Sequence, residues 1–391
     1  MSKEAKQAGS NPGLTPLRII VGLILVSGIA VTVLRFTTGL AGVTNLDHSN
    51  PWGLWIGFDL LCGVALAAGG FVTSAAVYIF GLKQYRAAVR PAILTGFLGY
   101  ALVVVALGYD VGIPWRLPYP FLVQAGPTSF LFEVALCVAL YLTVLFLEFS
   151  PAPLEWLGYL RLRSLVVKLT LMLTIFGVIL STMHQSSLGG LYLIAPSKLH
   201  PLWYTSYLPV LFFVSSIVAG LSMVILESSL SAKHFSRVMD ESHQQEQDIL
   251  PLGFAKAASL VLLAYFFLHV ISLALDHDWS YLSTGYGLWY CLEMSVFVLL
   301  PCFLYAVGYR EKNLRIIRLT SVLAVIGIVI NRLNVSLVAF NWHLPLDERY
   351  FPSWMEVVIS IFLVTLGILA FRFIVTRMPI LFNHPEYDGS H

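Results

Sequence analysis

The stretch LPVLFFVSSIVAGLSMVILESSL (208–230) holds one charged side chain, Glu227, in 23 residues. A helix of about 20 apolar residues crosses the hydrocarbon of a bilayer. Nine more runs of the same character lie near 17–40, 52–82, 88–109, 128–149, 165–187, 254–275, 287–308, 318–340 and 352–376. None shows the ten-residue alternation of a membrane β-barrel. Composition agrees: 58% of the 391 residues are hydrophobic and 11% charged, against about 25% charged in soluble domains. The net charge is +2, and basic residues are scattered in short loop clusters, which excludes a nucleic-acid binder. The expected fold is an all-α integral membrane protein with ten transmembrane helices. Arg35 and Phe36 follow the first apolar core, and no small-residue cleavage site does, so the first run reads as a span rather than a cleaved signal.

Lys and Arg concentrate on the cytoplasmic side of membrane proteins. With the N-terminus inside, 18 of the 23 basic residues share one face, and Arg35, Arg116, Lys198 and Arg349 occupy the other. Both termini are therefore expected in the cytoplasm. The inner loop at about 231–253 is polar and reads as a solvated linker. The outer loops 41–51, 110–127, 185–206, 276–286 and 341–351 are poor in basic residues and rich in Pro, Gly, Trp and Tyr. They suit either an interfacial aromatic belt or a docked partner. The cysteines, Cys62, Cys137, Cys291 and Cys302, all fall within spans and form no CxxC pair, so neither an iron–sulfur cluster nor a disulfide is expected on this chain. No phosphate-binding glycine loop is present, and no metal-ligand set is expected.

Ionisable residues inside spans each cost about 2.5–3.5 kcal/mol at a helix centre and need a partner, water or a function. At about 1.5 Å per residue, Asp59 of span two, Glu133 of span four and His184 of span five are expected at one depth in the outer leaflet, with Tyr109 and Asp110 near that level. Tyr100 lies near the middle of span three, and Glu148 and Glu227 lie at the inner ends of spans four and six. A second set comprises His269, Glu293, Asn331, Arg332, Asn334 and Glu356. An ion pair of Arg332 with Glu356 or Glu293 would account for that arginine structurally. Glu133 and Glu293 recur at an offset of four spans. This suggests two four-helix bundles, 52–187 and 207–340, flanked by a first helix at 17–40 and a last at 352–376. Gly63, Ala65, Gly69 and Gly70 would let span two approach its neighbours closely. His184 and His269 could be weighed as haem ligands, but YFFLHV around His269 is crowded and STMHQSSLGG around His184 suits hydrogen bonding.

Six stretches carry a specific resemblance: PWGLWIGFDLLCG (51–63), GYDVGIPWRLPY (108–119), FLFEVALC (130–137), LSTMHQSSLGGLYLI (180–194), HPLW (200–203) and VILESSL (224–230). Together they resemble the membrane subunits of the polysulfide reductase family (NrfD/PsrC), nearest to the ten-span branch of hydrogenase-2-type nickel–iron hydrogenases. The resemblance covers essentially the whole chain. It implies a multi-pass protein of the bacterial inner membrane that interacts with quinone, menaquinone being expected, and carries no haem. It also implies a ferredoxin-like iron–sulfur subunit on the outer face and the large and small hydrogenase subunits as partners. Asp59, Glu133, His184 and Glu227 match the family's polar positions. The sequence departs from the pattern after Asp110-Val111-Gly112, where Ile113-Pro114 replaces an expected basic residue and leaves Arg116 for any such role.

These readings converge on a subunit that passes electrons between an external iron–sulfur protein and the quinone pool. It performs no hydrogen chemistry itself. The expected quinone site is Asp59, Glu133 and His184, and the expected proton carriers are Tyr100, Glu133, Glu148, His184 and Glu227. A membrane subunit of another respiratory complex, such as a molybdenum reductase, and a proton-coupled transporter are the alternatives. Transporters usually break helices at midplane, whereas these polar groups gather toward one face.

Overall fold

A computed structural model describes residues 16–382. Ten helices are long and apolar enough to cross a membrane: Pro16–Thr38, Trp55–Ile79, Val89–Asp110, Phe130–Phe149, Thr170–Leu193, Leu208–Phe235, Asp248–Leu275, Gly285–Arg310, Leu314–Val338 and Trp354–Arg377. They are named spans one to ten below. Among the described residues the only β pairing is a single antiparallel bridge, Leu199 with Phe340.

Spans two to five pack on one another, as do spans six to nine, and span six also lies against spans two and five. Span one pairs with span ten, which in turn packs on span three. Small residues set the closest crossing. A Cβ on Gly220 would meet the backbone of Ala68 at 2.8 Å, and one on Gly70 would meet the carbonyl of Ala92 at 3.3 Å. Span two thus sinks into the middle of the protein, as its run of small residues suggests, because backbones can touch where side chains are missing.

That central span is also the least regular. It runs as a π-helix over Trp55–Leu60, turns at Ala67–Ala68, and ends in a second π-helix, Ala75–Ile79. Spans eight and nine carry π-helical stretches at Met294–Leu299 and Asn334–Val338. In span eight the cause is legible: Pro301 has no N–H to give the carbonyl four residues back, so the preceding turn widens. Widened turns at membrane depth are stable only where protein or water covers the freed backbone, and they often mark functional positions. Asp59 and Asn334 lie in such turns, and Glu293 immediately precedes one.

The segment expected as a solvated linker is mostly structured. Span six continues to Phe235, and a new helix starts at Glu241, capped by Asp240, whose side chain accepts from the His243 backbone N–H. Polar composition hid this: among the described side chains of the helix's first turns, His243 and Leu250 are buried and the others exposed. On the same face Glu155 accepts from Arg90 at 2.8 Å and from Arg163 at 2.8 Å, locking the loop after span four to the start of span three.

Candidate functional site

The polar residues named above fall into three groups. The first joins spans one, two, three and ten at the end of the bundle that carries the loop 110–127. Ser360 Oγ donates to Asp59 Oδ2 at 2.5 Å. Glu356 accepts from the Ser353 N–H at 2.8 Å in a capping box that starts span ten, and from the Tyr350 hydroxyl. Burial, and then the hydrogen bond to Glu356, holds the Tyr350 phenol above its ordinary range. Asp110 lies within electrostatic reach of Asp59, Glu356 and Arg35. Arg35 donates from Nε to the Tyr109 carbonyl at 2.7 Å and from Nη2 to the Val111 carbonyl at 2.8 Å. The arginine that interrupts the end of span one thereby fastens it to span three.

The second group fills spans three, four and five and reaches Glu227 on span six. Its centre is His184, fully buried, with both ring nitrogens lacking a hydrogen-bond partner. The His184 ring lies 5.7 Å from that of Tyr100, which in turn meets Tyr141 edge-on at 4.6 Å. The Tyr100 and Tyr141 hydroxyls, Ser181 Oγ and Gln185 Oε1 are likewise buried without a well-formed hydrogen bond, with Ser181 near both hydroxyls and Gln185 near Tyr100. Gln185 Nε2 donates to the Val64 carbonyl at 3.0 Å and so fixes span five against span two. Toward the outer face, Ser187 Oγ donates to Glu133 Oε1 at 2.6 Å. Toward the Lys- and Arg-rich face come Thr95 Oγ1 and the Glu227 carboxylate, buried side by side with no well-formed hydrogen bond to any other group. Glu148 accepts from Thr174 Oγ1 at 2.9 Å and borders a cavity of about 270 Å³ beside Tyr78, Arg90 and Lys168.

A buried donor or acceptor left unpaired costs about 1–3 kcal/mol. So many in one column give it capacity to hydrogen-bond water or a ligand. The column begins with the Glu133–Ser187 pair and ends at Glu227.

Asp59, Glu133 and His184 do not share the single depth expected of them. Span five runs on to Leu193, so His184 lies nine residues, or roughly 14 Å at 1.5 Å per residue, below its outer end. It is level with Tyr100, while Glu133 is three residues into span four. The helix continues because Leu188, Leu191 and Tyr192 of SSLGGLYL are buried on it. Asp59 is bonded into the first group. The sequence reading marked STMHQSSLGG, with Ser181 and Gln185, as suited to hydrogen bonding but did not place them in the site, and it passed over Tyr141. Ser181 lies three residues before His184 and four before Gln185, so it neighbours both on the surface of span five, a signal present in STMHQSS.

The third group is hydrogen-bonded throughout. Glu293 accepts from Asn331 at 2.7 Å, Asn334 at 2.7 Å and Trp203 Nε1 at 2.9 Å. Arg332 does not pair directly with Glu293 or Glu356. It donates to Asn331 Oδ1 at 2.9 Å, to Ser215 Oγ at 2.8 Å and to the Phe212 carbonyl at 3.1 Å, and lies 3.8 Å above the Phe212 ring. Asn331 bridges the two charges, and each finds enough neutral partners to stay buried. Glu293→Ala should therefore lower stability by about 3–5 kcal/mol, the usual cost of stranding a buried charge network. Thermal unfolding in detergent reads this; a midpoint equal to wild type would show that the network carries no stability.

The loop after span five, expected as a docking surface, is largely interior. Leu199, His200, Leu202 and Trp203 are buried, and Asn341 N–H donates to the Lys198 carbonyl at 2.6 Å. His200 is ringed by Trp203, Tyr281, Tyr286 and Trp342. Burial pushes its pKa down to about 4, so it is neutral at physiological pH. The loop 110–127 does project outward, with Trp115 76%, Leu122 81% and Val123 69% exposed.

Residues 42–341, all of spans two to nine, match the family model "Polysulphide reductase, NrfD". The chain belongs to the NrfD family. Spans one and ten flank the matched region. A protein of Nitratidesulfovibrio vulgaris is 64% identical over 99% of this chain and 100% of its own length. The "Probable Ni/Fe-hydrogenase 2 b-type cytochrome subunit" of Escherichia coli is 33% identical over 97% of this chain and 96% of its own. The "Menaquinone reductase, integral membrane subunit" of N. vulgaris is 28% identical over 89% and 87%. This NrfD-family chain is an integral protein of the bacterial inner membrane.

Proposed function

We propose that this NrfD-family chain is the quinone-reacting membrane subunit of a respiratory nickel–iron hydrogenase complex. The observation that carries the reading is His184, buried against Tyr100 with both ring nitrogens unpaired. A quinone headgroup presents two carbonyl oxygens and needs donors that can also release protons, and histidine and tyrosine are such donors. Electrons arrive from an iron–sulfur subunit docked on the exposed aromatic loop 110–127. Two protons per quinone come up the polar column from the Lys- and Arg-rich face, which is the cytoplasmic one. Glu133, held by Ser187, borders the same site from the outer side. The two groups of four spans, 52–187 and 207–340, act as a repeat in which the first keeps open hydrogen-bonding capacity around His184, whereas the Glu293 carboxylate of the second is taken up by Asn331, Asn334 and Trp203. Menaquinone is the expected quinone, as the name of one relative suggests.

The chain needs no haem for this role, although the name of one relative contains "b-type cytochrome". A bis-histidine haem needs two ring nitrogens facing one flat slot. His184 packs on Tyr100, whereas His269 sits on Tyr265, 4.6 Å between rings, with Nδ1 3.1 Å from the Tyr290 hydroxyl. The two histidines thus serve separate packing sites.

Purification in mild detergent tests the assignment. The expected result is an iron–sulfur subunit and both hydrogenase subunits bound to this chain, quinone reduction by hydrogen, and no reduction-shifted Soret band. Isolation without redox subunits, or with a strong Soret band, would overturn it.

A further inference from the structure

Below Glu227, on the basic face, lies a cavity of about 40 Å³, bordered by Glu227, Ser231 and His243 and walled by Met239, Leu250 and Leu381. A site of that size holds roughly two or three waters. Two of its polar groups are unsatisfied: both oxygens of Glu227 and Nε2 of His243 are buried without partners. The residues are 8% and 7% exposed. The other ring nitrogen, His243 Nδ1, is 2.6 Å from Asp240 Oδ1, and the Asp240 side chain is 27% exposed. The arrangement runs from water to a partly exposed carboxylate, to a buried imidazole, to a partly open cavity with mostly apolar walls, to a buried carboxyl group.

Asp240 also caps the helix that begins at Glu241, accepting from the His243 backbone N–H at 3.0 Å. Capping explains the position of Asp240. It does not explain a buried imidazole whose free nitrogen borders a cavity shared with an unpaired glutamate. The cavity is built from distant parts of the chain. The Asp240 N–H donates to the Leu381 carbonyl at 3.2 Å, so the segment after span ten closes the floor.

We propose that the Asp240–His243 pair is the donor that reloads Glu227 with protons from the cytoplasm. A proton from bulk water passes through Asp240 to Nδ1, and another leaves Nε2 through cavity water to the Glu227 carboxylate. One proton enters the pair for each that leaves, and no electron moves. The carboxylate orients the ring through Nδ1. Thr95, next to Glu227, then leads toward Tyr100 on the same span. The inference rests on the proposed delivery of protons to quinone from this side.

The test uses the whole complex in proteoliposomes, with quinone-linked turnover and membrane potential as readouts and recovered subunits as the control for assembly. His243→Ala should slow turnover about tenfold, and added imidazole should restore most of it, because the deleted ring leaves space of its own shape. Asp240→Asn, which keeps size and capping, should slow turnover about threefold. If Glu227→Gln is slow while His243→Ala runs at the wild-type rate, this inference falls and the role of Glu227 stands. If Glu227→Gln is itself normal, both fall. Slow His243→Ala without imidazole rescue, together with a normal Asp240→Asn, would reduce the pair to a helix cap and overturn the proposal. Should His243→Ala fail to assemble, His243→Gln is judged by its rate against Asp240→Asn: equal slowing supports the pair, and wild-type turnover sinks it.

Discussion

Replacing His184 by alanine should lower hydrogen-to-quinone turnover by about a hundredfold or more while dye-linked hydrogen oxidation by the partner subunits stays intact. A positioned acid or base contributes about 10²–10⁴-fold, and no second imidazole touches this site. The side chain is wholly buried and binds no protein group through either nitrogen, so its removal breaks no hydrogen bond within the protein. The hole left against Tyr100 costs packing, which thermal unfolding measures independently. His184→Gln fills most of that volume with a donor that does not shuttle protons, and should be as slow as alanine. Equal loss of quinone-linked and dye-linked rates would instead make His184 an assembly residue. Wild-type quinone turnover in either variant would remove it from the site.

The second large effect is expected at Glu227. Glutamine matches its shape and much of its hydrogen bonding but cannot release a proton. Glu227→Gln should leave the complex assembled and dye-linked activity unchanged, slow quinone reduction about tenfold or more, and collapse the membrane potential built in proteoliposomes. The potential follows from geometry: electrons come from the outer face while protons travel from the cavity beside His243 past Thr95 to the Tyr100–His184 level. The structural alternative, a salt bridge to Lys233 or Arg237, finds no hydrogen bond at either carboxylate oxygen. Normal turnover with a normal potential would sink the relay, and loss of assembly would favour a structural role.

Much of this protein is local and therefore legible in one dimension. Each span is its own hydrogen-bonding unit in lipid, so ten apolar runs place ten helices to within a few residues. The small residues of span two foretell its central position, because close approach depends on missing Cβ atoms, and those can be counted. The motif stretches bring the family likeness, and with it the choice of Asp59, Glu133, His184 and Glu227. The sequence by itself thus determined the class, the spans and the polar residues worth attention.

How those residues are paired is not local, and only the tertiary structure decided it. Asp59 is satisfied by Ser360, about 300 positions away, and Arg332 by Asn331, Ser215 and the Phe212 carbonyl rather than by a carboxylate. His184 moved away from Glu133 because Leu188, Leu191 and Tyr192 found burial and carried the helix on to Leu193. His243 reads as a polar residue in a polar linker until Met239, Leu250 and Leu381 fold around it and enclose it with Glu227. A side chain's chemistry is written in its identity. Whether that chemistry is spent on a hydrogen bond or left free for a ligand or proton depends on which distant atoms packing brings within about 3 Å.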